Sequence, residues 1–319
     1  MNKYSFKPKS RLQELIGEKF IALNAYAALI AVLLIFIFIF KESLPIFYDH
    51  EVQQEASLDK MIFKQEYYEG REPKWSWQPN SDVPKFSLLP LLLGTLKAAL
   101  VAMLFAVPLA VGAAMYSSEF AHRRMREIIK PVIELLAGIP SVVLGFFALI
   151  VLATIIQDLS GFTFRLNAIT AGIALGLAVI PIIFTVAEDA MTSVPRSLRD
   201  AALALGANPW QVSLKVVLPA ALPGIGAGIV LGFGRAIGET MIVLMASGNA
   251  AIISTSFTEP IRTLSASIAA ELAEVVFGGA HYNVLFFLGT LLFIFTFLTN
   301  LGGDYVLNRL KQKFQGITK

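Results

Sequence analysis

Six stretches of this chain are long and apolar enough to cross a lipid bilayer, and this restricts the fold more than any other feature. About 20 consecutive apolar residues span the hydrocarbon layer, and backbone groups inside it must be hydrogen-bonded within helices or closed barrels. The predicted spans lie at about 20–40, 88–116, 131–157, 168–188, 221–247 and 284–307. The sequence therefore predicts an all-α membrane protein with six transmembrane helices.

The composition agrees with a membrane protein and excludes several kinds of site. Charged residues make up 15% of the chain, against about 25% in soluble domains. The net charge of +3 does not indicate a nucleic-acid partner, because membrane proteins keep Lys and Arg on their cytoplasmic side. There is no cysteine, and His50, His122 and His281 lie in separate predicted loops. We therefore expect no catalytic residue, metal or cofactor.

Lys and Arg are concentrated in the segments that six spans place on one side of the membrane. These basic residues are Lys3, Lys7, Lys9, Arg11, Lys19, Arg123, Arg124, Arg126, Lys130, Arg196, Arg199, Lys215, Arg309, Lys311, Lys313 and Lys319. The two later loops on the opposite side contain only Arg165 and Arg262. The positive-inside rule therefore predicts that both termini are cytoplasmic.

The predicted spans divide the chain into four regions. They are a cytoplasmic N-terminus with the first helix (1–41), an external loop (42–86), a transmembrane core (87–308) with a cytoplasmic loop at 189–220, and a cytoplasmic tail (309–319). The external loop contains Trp75, Trp77, Tyr67 and Tyr68 among mixed charges. It is either a small ordered cap or an interfacial aromatic belt, and its many acidic residues favour the cap.

Glycines at four-residue spacing mark two of the predicted spans. Gly224, Gly228 and Gly232 form one stripe, and Gly172 and Gly176 form another. Small residues at this spacing allow close helix packing in membranes, and we expect that role here.

The cytoplasmic loop between the fourth and fifth spans predicts a helix, a turn and a second helix. The Asp-Ala-Ala that begins at Asp200 favours a helix, and Gly206 suits the left-handed position that ends one. Asn208 followed by proline suits the start of a second helix, which Pro219 is expected to end. We therefore expect a short, exposed helical hairpin.

This loop resembles the EAA loop of ABC importer permeases, E-A-A-x3-G-x9-I-x-L-P. The matching positions are Asp200, Ala201, Ala202, Gly206, Val216, Leu218 and Pro219. Aspartate stands for the leading glutamate and valine for the isoleucine. The resemblance implies coupling helices that fit a groove on cytoplasmic ATP-binding subunits; an ordinary amphipathic loop is the alternative. The chain lacks a G-x4-G-K-[ST] phosphate loop, so the ATPase is expected to be a separate polypeptide.

The stretch GFGRAIGETMIV, residues 232–243, places Arg235 and Glu239 inside the predicted fifth span. Arginine at a helix centre costs roughly 2.5–3.5 kcal/mol on insertion scales. The two residues are four positions apart, so we expect them to share a helix face and pair. They are either a structural ion pair or the lining of a translocation path, which intramembrane charges usually mark. Lys97 in the second span either faces the same path or snorkels to the membrane surface.

The same stretch, followed by Gly248 and Asn249, resembles the signature of phosphate ABC transporter permeases of the PstC type. KPVIELLAGIPSVVLGF from Lys130 is similar to that family's third span, and the segment from Glu271 onward to its last external segment and last span. The similarity covers most of 86–308. It implies the type I ABC importer permease (MetI-like) fold with both termini in the cytoplasm, a cell inner membrane location, and inorganic phosphate as the substrate.

The resemblance also implies the partners and the roles of the charged residues. The partners are cytoplasmic ATP-binding subunits, a second homologous permease of the PstA type and an external phosphate-binding protein, besides membrane lipid. Arg235 would bind the passing anion, because a guanidinium offers several donors in a planar fork. Glu239 would orient Arg235 and keep the anion from binding too tightly.

Two other functions compete with this interpretation. A secondary transporter or channel for an anion would use Arg235 and Glu239 without needing the 200–219 loop; such proteins usually have inverted repeats and broken helices, which the sequence does not show. An intramembrane enzyme would need a motif such as G-x-S-x-G or H-E-x-x-H, and neither is present. The sequence therefore favours the importer permease.

Overall fold

The computed structural model describes residues 11–67 and 72–314. Several residues used in the sequence analysis lie outside the described residues, namely Lys3, Lys7, Lys9, Tyr68 and Lys319.

Six helices among the described residues are long and apolar enough to cross a membrane, as predicted. They are Leu15–Tyr48, Leu89–Phe120, Ser141–Ser160, Ala168–Thr192, Pro209–Gly238 and Ala280–Arg309. Two spans, the third and the fifth, differ most from the prediction. The third span begins at Ser141 rather than near 131, because Pro140 disfavours helical geometry in the residue before it and separates an amphipathic helix from the span. The fifth span begins at Pro209 and ends at Gly238.

Helices dominate the described residues, with one small antiparallel sheet. The helices are α1 (Arg11–Ser43), α2 (Pro45–Tyr48), α3 (His50–Glu55), α4 (Leu58–Ile62), α5 (Leu89–Met115), α6 (Arg123–Ala137), α7 (Ser141–Phe147), α8 (Ala153–Ser160), α9 (Ala168–Thr192), α10 (Arg196–Ala204), α11 (Pro209–Val212), α12 (Leu218–Gly238), α13 (Met241–Ala246), α14 (Leu264–Glu271) and α15 (Ala280–Phe314). The strands are β1 (Trp77–Gln78) and β2 (Lys85–Phe86).

Three π-helical turns interrupt these helices without ending the spans. The turn Tyr116–Phe120 continues α5, Ala148–Leu152 joins α7 to α8, and Ser213–Val217 joins α11 to α12. A π-helical turn contains one extra residue and often marks a functional position in a helix.

The core is built on close packing of α5 against α9. Completely buried alanines recur every four residues along the later turns of α5, at Ala102, Ala106, Ala110 and Ala114. On α9, a β-carbon at Gly172 would lie 2.4 Å from the Val101 Cβ, and one at Gly176 would lie 2.8 Å from a ring carbon of Phe105. The backbones are therefore too close for any larger residue at these glycines.

The glycine stripe of α12 packs against the later turns of α9. A β-carbon at Gly224 would lie 2.4 Å from the Ala190 Cβ, and one at Gly232 would lie 2.8 Å from the Ile183 Cγ1. Gly228 similarly faces Val186. The predicted packing role of the glycine stripes is confirmed.

The external loop forms an ordered cap from α2, α3, α4 and the two strands. Its buried side chains include Met61, Trp77 and Phe86, and they form one cluster with Leu91 of α5 and Leu285 of α15. Among the described aromatic residues of the loop, Trp77 and Phe86 are buried, and Tyr67 and Trp75 are half-buried, which agrees with the cap.

A second external element follows α13. Residues 247–263, called the external segment below, fold back over the outer ends of α5 and α9. The backbone N–H of Ala168, at the start of α9, donates to the Glu259 carbonyl at 3.2 Å. A β-carbon at Gly94 of α5 would lie only 2.1 Å from the Arg262 carbonyl oxygen. The segment is therefore packed directly on the transmembrane helices.

Candidate functional site

The segment predicted as the fifth span, 221–247, is broken at Glu239 and Thr240, between α12 and α13. Glu239 has extended backbone geometry, with φ −68° and ψ 134°. Its carbonyl oxygen accepts a hydrogen bond from the Ser265 hydroxyl at 2.7 Å. The prediction that Arg235 and Glu239 share one helix face is therefore wrong. The sequence also showed no broken helix, because the contact that satisfies the break comes from a residue 26 positions away.

Arg235 lies in the last turn of α12, immediately before the break, and not in the middle of the span. It is exposed within this chain, together with Leu231 and Gly238. Among the ion pairs of the described residues, none joins Arg235 to Glu239. These three exposed residues define what is called below the uncovered face of α12.

A cavity of about 490 Å³ opens beside the break. Thr240 and Ser265 line it, and the rest of its wall consists of apolar residues of α14, the two residues that follow α14, and Leu292 of α15. The break between α12 and α13 therefore lies beside a cavity whose wall is mostly apolar.

Lys97 is bound to the external segment. Its ammonium group donates to the backbone carbonyl oxygens of Ser254 and Ser256, the second at 2.8 Å. It also lies 5.5 Å from the centroid of the Phe257 ring, within the range of a cation–π contact. The structure therefore does not show Lys97 snorkelling, and it does not bring Lys97 together with Arg235 by any hydrogen bond.

The cytoplasmic loop forms the predicted helix, turn and helix. Asp200, Ala201 and Ala202 lie in α10, and Gly206 adopts a left-handed φ of 85° after it. Asn208 caps α11 through a capping box with Gln211, in which each side chain accepts a bond from the other residue's backbone N–H. These features confirm the predicted hairpin. We call residues 196–212 the cytoplasmic hairpin.

Pro219 does not end the second helix, contrary to the prediction. The helix that starts at Pro209 continues through the π-helical turn into α12, so Val216, Leu218 and Pro219 belong to the beginning of the fifth span. Pro219 is tolerated because it lies in the first turn of α12, directly after the irregular π-helical turn, where a missing N–H is least costly. The second arm of the hairpin is therefore directly connected to the span that carries Arg235.

Large apolar side chains at the tip of the cytoplasmic hairpin are exposed and contact little of the rest of this chain. Leu205 is 90% exposed, and Leu203 and Trp210 are also exposed. A cluster of exposed large apolar residues on a soluble-facing element indicates an interaction surface.

Two acidic residues at the cytoplasmic ends of the spans, Glu188 and Glu119, form ion pairs that the sequence analysis did not predict. Glu188 is fully buried and pairs with Arg126 and Lys130 of α6, the latter at 3.0 Å. Glu119, at the end of the second span, pairs with Arg199 of α10 at 2.7 Å. In the sequence these acids have no motif around them, because their cationic partners are 58 to 80 positions away.

Glu271 of α14 is the centre of a polar cluster on the external side. Its carboxylate accepts hydrogen bonds from Trp77 of the cap at 3.0 Å and His281 of α15 at 2.9 Å, and it pairs with Arg262. Burial acts to raise the pKa of Glu271, but the hydrogen bonds from His281 and Trp77 and the charge of Arg262 outweigh it, so the pKa lies below its ordinary value. An ionised Glu271 therefore joins the cap, α14, α15 and the external segment.

Six membrane spans, an arginine beside a helix break and an exposed apolar hairpin are together typical of a membrane permease. Comparison with known families agrees with this class. The model of the family described as "Binding-protein-dependent transport system inner membrane component" matches residues 106–313. The chain belongs to this family, and it is a multi-pass inner-membrane protein.

Curated relatives support the same assignment. A probable ABC transporter permease, YqgH of Bacillus subtilis, is 35% identical over 236 residues, covering 74% of this chain and 76% of the relative. The phosphate transport system permease PstC of Mesorhizobium japonicum is 35% identical over 254 residues, covering 74% of this chain and 77% of the relative.

Solved structures of ABC importers have the same fold. The MetNI methionine ABC transporter in an inward-facing conformation matches with a TM-score of 0.52 at 20% identity, over 70% of this chain and 94% of that one. A bacterial ABC transporter for the polysaccharide alginate matches with a TM-score of 0.60 at 16% identity, over 97% of this chain and 100% of that one. These similarities confirm the predicted type I importer permease fold.

Proposed function

We propose that this chain is the permease subunit of an ATP-driven importer of inorganic phosphate. An external phosphate-binding protein delivers the anion, and separate ATP-binding subunits on the cytoplasmic side hydrolyse ATP. Relatives that are named as phosphate transport permeases support the substrate. The observation that carries the proposal is the position of Arg235, a permanent cation on the uncovered face of a membrane-spanning helix.

Arg235 constrains what covers this face of α12. An arginine side chain that faces lipid is unfavourable, and no carboxylate of the described residues pairs with Arg235. The face therefore borders an aqueous path. We propose that a second homologous permease, of the PstA type, forms the other wall of that path.

The broken helix gives Arg235 a defined place in the path. Arg235 supplies fixed donors for an oxyanion, and Glu239 adds a negative charge close to them that prevents the anion from binding too tightly to leave. Thr240 and Ser265 supply hydroxyl groups beside the break. In this proposal Lys97 contributes to the path indirectly, by holding the external segment.

The cytoplasmic hairpin is proposed to dock on the ATP-binding subunits. Its exposed residues Leu203, Leu205 and Trp210 provide the apolar contact that a groove on such a subunit requires. The EAA-like positions Asp200, Ala201, Ala202 and Gly206 shape the first arm and the turn. In the proposed division of the chain, residues 42–86 are an external cap and residues 87–308 are the permease core with its coupling loop at 189–220. The N-terminal segment (1–41) precedes the cap, and the cytoplasmic tail (309–319) follows the core.

The proposal is tested by the composition and activity of the purified complex. The permease is isolated in mild detergent, its co-purifying proteins are identified, and the complex is reconstituted with the phosphate-binding protein into liposomes. We expect ATP-binding subunits and a second permease in the complex, and uptake of radioactive phosphate only with ATP. Phosphate uptake by the chain alone without ATP would instead support an anion channel or secondary transporter.

The broken fifth span is the one observation that suits this alternative, since broken helices are typical of secondary transporters. The alternative leaves the exposed apolar hairpin without a function, and the importer permease accounts for both features. We therefore retain the importer as the proposed function.

A further inference from the structure

The cytoplasmic hairpin is joined to the end of the second span by one ion pair. Nε and Nη2 of Arg199 donate to the two carboxylate oxygens of Glu119, at 3.1 and 2.7 Å. The Arg199 side chain is 18% exposed and the Glu119 side chain 8%. Two parallel bonds between a guanidinium and a carboxylate give geometric specificity as well as strength, so this contact fixes the orientation of both partners.

The same guanidinium also binds the cytoplasmic end of α9. Nη2 of Arg199 donates to the Met191 carbonyl at 2.8 Å, and Nη1 donates to the Val194 carbonyl. A cation is favourable at the C-terminal end of a helix, where carbonyl groups lack partners. Arg199 therefore connects α10 to the ends of both central helices.

The second arm of the hairpin contacts the same π-helical turn. The rings of Phe120 and Trp210 lie 5.8 Å apart, centroid to centroid. Two consecutive residues of the turn, Glu119 and Phe120, thus contact the first and second arms respectively. A movement of the hairpin as a unit would act on this turn from both arms.

Beyond the turn, α5 forms a direct connection to the external side. It is 27 residues long, which corresponds to about 40 Å at 1.5 Å per residue, and it is packed closely against α9. Near its outer end, Lys97 and Thr95 hold the external segment and the start of α14, with Thr95 accepting from the Leu264 N–H at 3.1 Å. The hairpin and the external segment are therefore attached to opposite ends of one helix.

We infer that the Arg199–Glu119 pair is the link that transmits movement of the cytoplasmic hairpin to α5, and through α5 to the external segment. Arg199 is a positioning residue in this scheme and does not contact the transported anion. Among the ion pairs of residues 11–67 and 72–314, it is the only one that joins the hairpin to a span. The inference rests on the proposed function, because it takes the hairpin to be the surface that the ATP-binding subunits move.

The test uses the whole complex reconstituted with the phosphate-binding protein, and it measures phosphate taken up per ATP hydrolysed. The variants are Arg199→Met, Glu119→Gln, the two combined, and Arg199→Lys. The control is Arg123→Met, which removes an arginine from the exposed Arg123–Glu127 pair of α6.

We expect uptake per ATP to fall at least about tenfold in Arg199→Met and in Glu119→Gln, because each change removes a charge-assisted bidentate pair, while the ATP-binding subunits still co-purify. The combined variant should be no worse than either single one, since both remove the same link. Arg199→Lys should be intermediate, because lysine keeps the charge but not the fork. The Arg123→Met control should match the parent.

Two results would overturn the inference. One is uptake per ATP within twofold of the parent in Arg199→Met or Glu119→Gln with the complex intact. The other is a combined variant in which the two single losses multiply, which would mean that the residues act independently. If Arg199→Met does not assemble, the isosteric Glu119→Gln decides. Absence of ATP-binding subunits from the parent complex would contradict the proposed function itself, and so the two failures are distinguishable.

Discussion

Ser265 of α14 donates a hydrogen bond to the backbone carbonyl of Glu239, 2.7 Å away, and thereby supports the break in the fifth span. The end of a helix leaves backbone carbonyl groups without intrahelical partners, and these must be satisfied by other protein groups or by water. The external helix α14 supplies one such partner. The position of Arg235, in the turn before the break, is consequently tied to the external side of the molecule.

The first prediction concerns Arg235. Arg235→Ala should abolish phosphate uptake while assembly of the complex persists, because the change removes the fixed cation of the path. Arg235→Lys keeps the charge without the planar fork, and we expect it to raise the KM for phosphate and retain a fraction of the maximal rate. Uptake into liposomes and gel filtration of the complex measure the two effects.

Arg124→Ala is the matched control for Arg235, because Arg124 is an exposed arginine of α6 outside the spans. It should leave uptake unchanged. If Arg235→Ala transports phosphate as well as the control does, Arg235 has only a structural role.

The second prediction concerns the turn of the cytoplasmic hairpin. Gly206 has a φ of 85°, which proline cannot adopt, so Gly206→Pro should uncouple uptake from ATP hydrolysis while the protein still inserts into the membrane. Gly206→Ala meets no atom within 4 Å, and its cost is limited to about 1–2 kcal/mol of backbone strain. We therefore expect a partial loss of coupling in Gly206→Ala, measured as phosphate transported per ATP.

Gly112→Ala serves as the control for added side-chain volume. It also meets no atom within 4 Å, and it lies inside α5 with ordinary helical geometry, where alanine is favoured over glycine. Normal coupling in Gly206→Pro would show that this hairpin does not transmit the action of the ATP-binding subunits.

The comparison of sequence and structure shows which features local patterns can predict. The spans follow from apolar length, and the hairpin follows from Gly206 and Asn208, whose turn and capping preferences act within a few residues. The break at Glu239 was missed because its sequence is compatible with a continuous helix and its partner Ser265 belongs to another element. The same reason applies to Glu119, whose pairing with Arg199 depends entirely on the tertiary fold.

The third prediction concerns Lys97, which holds the external segment through the carbonyls of Ser254 and Ser256. If it positions the external segment, Lys97→Met should free the carbonyls of Ser254 and Ser256 and increase amide hydrogen exchange around them by at least about tenfold, since local opening is governed by such contacts. Lys97→Arg should preserve much of the protection. If Lys97 instead contacts the anion, the methionine variant should raise the KM for phosphate and leave the exchange of the segment unchanged.

The fourth prediction concerns packing between the external segment and α5. A β-carbon at Gly94 would lie 2.1 Å from the Arg262 carbonyl oxygen, a distance that requires the backbone to move. Gly94→Ala should therefore displace the external segment and lower the thermal stability of the permease, whereas Gly112→Ala on the same helix should not. Melting of the detergent-purified complex measures the difference, and equal melting temperatures for both variants would contradict this packing.

The final prediction is a pH dependence centred on Glu271. Its pKa in the folded protein lies below the ordinary value of 4.5, so its ionised form stabilises the contacts between the cap, α14 and α15. This contribution is complete above pH 4.5 and is lost as the pH falls through the lower folded pKa. The protection factors of the amides of residues 77–86, taken relative to the intrinsic exchange rate at each pH, should therefore fall at the acidic end of that window. Glu271→Gln should show low protection factors already at neutral pH with little further change on acidification, whereas Glu274→Gln, which alters an exposed acid on the same side, should behave like the parent. If Glu271→Gln kept both the protection and the acid response of the parent, the cap would be held by its apolar contacts alone.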